Sequence, residues 1–234
     1  MNLQDELKAQ RARLDEQLPL EVNQIIEDTI LGLKQSNPTA KGPQTGDIIE
    51  DFTLPNIYWN RRVDDKIQDF ISRTQSKGEI QLSKLLANGP VVLNFYRGGW
   101  CPYCDVELNA LQRALPDIEA HQGQLVAISV EAPERAINTQ TTKKLDYLVL
   151  SDVDCKVAEQ FGILFDVTPN YDEMLNSFGI ALKKHNDTDK SQLVIPATYV
   201  IDTDRRVSYA FLDEDFRQRA DIHQIIDTLK RLHY

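Results

Sequence analysis

Apolar residues recur at helical spacings over the first 36 positions. Leu3, Leu7, Leu14 and Leu18 stand four or seven apart, and beyond Pro19 the residues Val22, Ile25, Ile26, Ile30 and Leu33 recur mostly at three and four. That period marks one face of an α-helix, so the segment predicts a helical hairpin broken at Pro19. Its apolar faces need cover, either from the hairpin's own domain or from a second subunit. Asn37-Pro38 and Lys41-Gly42-Pro43 then end the helical pattern.

Farther along, strand-like and helix-like patterns alternate. Residues 91–96 (VVLNFY) and 124–130 (QLVAISV) are continuous apolar runs, as in strands buried on both faces. Between them Leu108, Leu111 and Leu115 predict a helix that begins near Pro102. Residues 134–144 predict a weak helix, 147–152 a strand and 156–162 a short helix closed by Gly162. No regular pattern covers 163–193, which predicts an irregular insertion. Residues 197–202 and 206–212 predict a hairpin around Thr203-Asp204-Arg205. Ile222, Ile225, Ile226 and Leu229 place a last helix at roughly 216–232. This order argues for a three-layer α/β domain.

Composition narrows the class. The chain has 234 residues, 41% hydrophobic and 26% charged, with a formal net charge of -10. Such an acidic chain has no nucleic-acid footprint. No apolar run reaches the roughly 18 residues of a membrane span. The charged N-terminus lacks the apolar region of a signal peptide. A cytoplasmic location is the expectation.

Only three cysteines are present, and two of them, Cys101 and Cys104, stand three residues apart. A structural zinc site would need about four ligands. Cys155, His121, His185, His223 and His233 form no second ligand pair, so neither a metal nor another cofactor is expected. Two inert buried thiols fit poorly behind the Gly98-Gly99-Trp100 turn. A redox dithiol fits best. The strand ends, the glycines turn the chain, and the cysteines open a helix, where free N–H groups favour a thiolate. Pro102 suits the first helical position. Pro196, before the strand at 197, reads equally as an ordinary trans proline or a cis one.

From about residue 46 onward the chain resembles the thioredoxin-fold superfamily in its peroxiredoxin-like branch, the alkyl hydroperoxide reductase and thiol-specific antioxidant type. GDIIEDFTLPN, GPVVLNFYRGGWCPYCDVELNALQ, LSDVDCKVAEQFGI and PATYVIDTDRRV carry the resemblance, in the family's order. It implies a thioredoxin-like domain at 46–234 behind an N-terminal extension at 1–45. Laid on the family pattern P-x-x-x-T-x-x-C, Cys104 takes the peroxidatic position. Cys101 replaces the threonine, Arg97 the proline, and Pro196 a distant arginine. The W-C-P-Y-C stretch also resembles a thioredoxin or glutaredoxin site, which implies a cis Pro196 facing the dithiol.

The resemblance therefore implies a thiol-dependent antioxidant oxidoreductase. Cys104 would attack a peroxide, Cys101 would resolve it, and a thioredoxin-like or glutathione-type reductant would recycle the pair. The alternative is a dithiol–disulfide oxidoreductase with Cys101 as nucleophile. A third reading is a redox-sensing or binding module with little catalysis. Arg97 would lend its charge to the site, or else sit in solvent or pair with Glu107. Trp100 would support the loop. Cys155 reads as a small half-buried side chain, or less simply as a second resolving thiol. A homodimer is compatible with the hairpin.

Overall fold

The computed structural model describes residues 2–59, 61, 63–73 and 78–232; His233 lies outside them. The chain opens with the helical hairpin α1 (Leu3–Gln17) and α2 (Leu20–Ser36). Asn2 caps α1 by accepting the Asp5 N–H, and Asn37 closes α2 in the left-handed conformation. Next come β1 (Thr53–Pro55), α3 (Asp65–Arg73), β2 (Glu79–Gln81) and α4 (Leu82–Leu86). The central segment runs β3 (Val91–Phe95), α5 (Pro102–Ala120), β4 (Gln124–Ser129), α6 (Pro133–Thr142), β5 (Leu148–Ser151) and α7 (Lys156–Gln160). It is followed by β6 (Leu164–Asp166), α8 (Pro169–Ser177), α9 (Leu182–His185) and β7 (Gln192–Val194). The last elements are β8 (Ala197–Ile201), β9 (Val207–Leu212) and α10 (Ile222–Leu232).

Five strands form the central sheet, in the order β5-β4-β3-β8-β9. β3, β4 and β5 are parallel neighbours, and β8 turns the sheet antiparallel. Every residue of β3, β5 and β8 is buried, which explains their unbroken apolar runs. Phe161 locks the core, with ring centroids 4.9 Å from both Phe95 and Tyr199. α1 packs on α5, and α2 packs on α8. Ion pairs tie the hairpin down, from Glu6 to Arg113 and from Glu27 to Arg217. Among the described residues no helix is long and apolar enough to cross a membrane.

Two expectations fail. Residues 163–193 are not irregular: β6 and β7 pair antiparallel and frame α8 and α9. Each strand has only three residues, so neither is periodic enough to register alone, and their pairing is long-range. The final helix begins at Ile222, not near 216. The Arg219 side chain satisfies the carbonyls of Phe216 and Gln218, and Arg217 binds Asp215, so this stretch meets its polar needs without helical bonds.

Candidate active site

β3 delivers the chain to the site. Its last residues precede Arg97, and Gly98-Gly99 then turn back to α5. Both glycines are required by close approach. A Cβ on Gly98 would run into the Trp100 indole, and one on Gly99 into the Thr139 hydroxyl. The Gly99 N–H donates to the buried Glu131 carboxylate at 2.9 Å, and the Cys101 N–H donates to Gly98 O at 3.1 Å. Cys101 is the N-cap of α5 with Pro102 behind it, as the sequence predicted.

Both sulfurs are buried, but not alike. Cys101 lines a cavity of about 230 Å³ at the surface, whereas Cys104 lies behind it, fully enclosed. Cys104 accepts two N–H donors at its sulfur, from the Arg97 backbone at 3.4 Å and from Arg219 Nη2 at 3.4 Å. The pair shares one negative charge. Burial pushes the Cys101 thiol up, but the Cys104 S–H donating to it and the nearby Arg97 and Arg219 charges more than reverse this, bringing Cys101 down to about 6. Burial, and then the charge on Cys101, hold Cys104 well above the ordinary thiol range.

Two buried guanidinium groups supply the positive charge. Arg97 donates to the Tyr171 hydroxyl at 2.7 Å and stacks over aromatic rings, 4.0 Å from the Phe216 centroid and 5.2 Å from that of Trp100. Such contacts are worth roughly 2 kcal/mol each when desolvated. Arg97 is thus neither a solvated loop residue nor a partner of Glu107. Glu107 pairs instead with Arg219 at 2.5 Å, and also accepts from Asn94 at 3.0 Å. Burial still pushes its carboxyl up to about 7, against the pull of Arg219.

Of the expected site residues, Cys101, Cys104, Arg97 and Trp100 meet in one place. Pro196 differs from expectation. Ala197 pairs with Phe95, so Pro196 stands one step beyond, beside the end of β3 that leads into the dithiol loop. The Ile195–Pro196 bond, however, is trans, since no cis peptide occurs among the described residues. An extended trans proline opening β8 lacks only an N–H that this position need not supply. Cys155 stands apart at the start of α7, and burial raises it to about 11.

Arg219, Tyr171 and Phe216 were missed. They come from segments read as a helix and as an irregular insertion, and only long-range folding brings them to the sulfurs. Glu107 left one trace: it follows Cys104 by three residues, on the helix face that carries Leu108 and Leu111 into the core.

Comparison with known proteins matches the AhpC/TSA family model to residues 63–210. A Mycobacterium tuberculosis protein, provisionally named a peroxiredoxin, is 26% identical over 189 residues, 81% of this chain and 97% of its own length. Peroxiredoxin Bcp of Escherichia coli is 25% identical over 120 residues, 51% of this chain and 65% of that protein. The crystal structure of peroxidoxin BcpB from Mycobacterium tuberculosis superposes with a TM-score of 0.58 at 24% identity, covering 82% of this chain and 99% of that one.

Proposed function

The chain belongs to the AhpC/TSA family, and from that premise we propose that it is a thiol-dependent peroxidase whose redox couple is the Cys101–Cys104 dithiol. The observation that carries this reading is that the residue of the pair that lines the cavity is also the one whose thiol is lowered. Cys101 both lines the cavity and holds the charge of the pair. Attack requires thiolate and access together. The Cys101 thiolate takes the terminal peroxide oxygen, the O–O bond breaks, and the alcohol or water leaves with a proton. Cys101 is then a sulfenic acid. The Cys104 sulfur, relieved of its proton, attacks Cys101, and hydroxide departs as water once it accepts that proton. The Arg97 N–H and Arg219 stabilise the Cys104 thiolate during this step. A thioredoxin-like dithiol, or two glutathione-type thiols, returns the disulfide to two thiols and is itself oxidised to a disulfide.

This order reverses the one expected from the family pattern, in which Cys104 attacks first. The two donors on the Cys104 sulfur favour that second reading. Single-cysteine variants under one equivalent of hydrogen peroxide decide between them. Cys104→Ser should consume one peroxide and leave a sulfenic acid trappable at Cys101, and Cys101→Ser should react at the slow rate of an ordinary thiol. The opposite pattern gives first attack to Cys104. Slow reaction in the parent and in both variants rejects peroxidase activity, and mixed disulfides trapped on Cys104→Ser would then assign the dithiol to disulfide exchange.

A further inference from the structure

The loop between β3 and α5 engages the dithiol at both of its ends. The Arg97 N–H donates to the Cys104 sulfur, and Cys101 caps α5. The middle of the loop is tied to the sheet through Glu131, which stands just past the end of β4 and is 2% exposed. Each oxygen of its carboxylate faces one glycine. Oε2 accepts the Gly99 N–H at 2.9 Å, and Oε1 lies where a Cβ on Gly98 would come within 2.9 Å of it. The Glu131 backbone is itself clamped. Its carbonyl accepts the Ser151 hydroxyl at 2.6 Å, and the next N–H, of Ala132, donates to the His185 carbonyl at 3.0 Å. Among the described residues the ion-pair neighbour of Glu131 is His185, whose Nδ1 stands 3.9 Å from Oε1. A buried carboxylate is costly to desolvate, and this one is turned toward the loop.

Resting on the reading of Cys101 and Cys104 as the redox couple, we infer that Glu131 is a positioning residue of the dithiol: through the Gly99 N–H it fixes the loop that sets the Cys101 sulfur against Cys104 and Arg97. It acts through the backbone and takes no part in the bond changes at sulfur. The two glycines have no side chains to hold the turn, so an outside anchor decides where it rests. Without that anchor the turn is free to swing, and the Cys101 sulfur leaves the donors and charges that favour its thiolate. The negative charge of Glu131 acts the other way, because alone it opposes a second negative charge nearby. Positioning and charge therefore predict opposite shifts when the carboxylate is removed.

The test uses the full chain with three substitutions at this one position. Glu131→Leu fills the buried space without an acceptor, Glu131→Ala empties it, and Glu131→Gln keeps an oxygen for the Gly99 N–H. Ultraviolet thiolate absorbance and alkylation by iodoacetamide are followed against pH, with melting to confirm that each variant is folded. Glu131→Leu and Glu131→Ala should raise the Cys101 midpoint by about one pH unit, the low end of what one lost neighbouring interaction shifts. From a parent value of about 6, that leaves about fivefold less thiolate at pH 6 and slows hydrogen peroxide consumption there by about fivefold. Glu131→Gln should recover most of both. A midpoint that falls in all three variants would show that only a nearby charge had been removed, and would overturn the inference. So would a midpoint that stays in place in folded Glu131→Leu or Glu131→Ala, whatever stability is lost, since the role would then be structural alone. If the parent consumes no hydrogen peroxide, the peroxidase reading falls by itself. The alkylation midpoints still decide whether Glu131 positions the dithiol.

Discussion

At Cys101 and Cys104 the local geometry divides one charge unequally. The helix start contributes to both, but the Cys104 thiol serves as a donor to Cys101 and cannot readily ionise beside it. The first proton to leave the pair therefore comes from Cys101. Its folded-state pKa is depressed, so the thiolate is present above about 6 and is lost as pH falls through that value. Thiolate absorbance should rise with a midpoint near there, well below the ordinary thiol range, and should vanish in Cys101→Ser. Arg219 lies behind this shift through its charge, together with Arg97. Arg219→Met should move the midpoint upward and slow peroxide consumption at pH 6–7. It also strips Glu107 of its ion-pair partner, a change that costs up to about 3–5 kcal/mol where the stranded charge cannot be neutralised. Glu107, already raised to about 7, can instead take up a proton, which limits the loss. A midpoint unchanged in Arg219→Met would show that the helix start and Arg97 suffice.

Single elements carry the site's walls. α8 contributes Tyr171, whose hydroxyl accepts from the buried Arg97. Removing that acceptor leaves a further guanidinium N–H unpartnered beside the one on Nε. Tyr171→Phe should therefore destabilise the fold by about 1.5–3 kcal/mol, the scale of a hydrogen bond to a charged group. Urea unfolding would measure it. A loss below 0.5 kcal/mol would mean that water or the aromatic stack around Arg97 replaces the hydroxyl. The loop between β9 and α10 works in the same way. Phe216 covers Arg97, Arg217 reaches Glu27 of the hairpin, and Arg219 reaches Cys104, so the four residues 216–219 link the dithiol to α2.

Across the whole molecule, the fold separates the third cysteine from the first two. Cys155 is the N-cap residue just before α7, held in the left-handed conformation at φ 59°, with its thiol raised by burial and by the charge of Asp152. Oxidation by peroxide should produce one intramolecular bridge, Cys101 to Cys104, with Cys155 still free. Mass spectrometry after trapping free thiols reads this directly. A dominant bridge to Cys155 would require rearrangement of the chain around α7 and would sink the proposed couple.

What the sequence determined by itself was whatever is local and periodic. Apolar runs placed β3, β4, β5 and β8, because a strand buried on both faces needs them. The 3.6-residue period placed the hairpin and α5, and Gly98-Gly99 with Pro102 set the dithiol at a helix start. The resemblance of four ordered segments extended this to the family. Tertiary structure alone decided the rest. Short strands such as β6 and β7 have no pattern until they pair. Arg219, 115 positions from Cys104, becomes its neighbour only because α10 and β9 pack beside α5 and β8. Which sulfur meets the cavity depends on where α1, α2 and α8 come to rest. Access is a property of that assembled surface, and the stretch around the two cysteines supplies only the helix start and Arg97, while Arg219 comes to the charge through the fold.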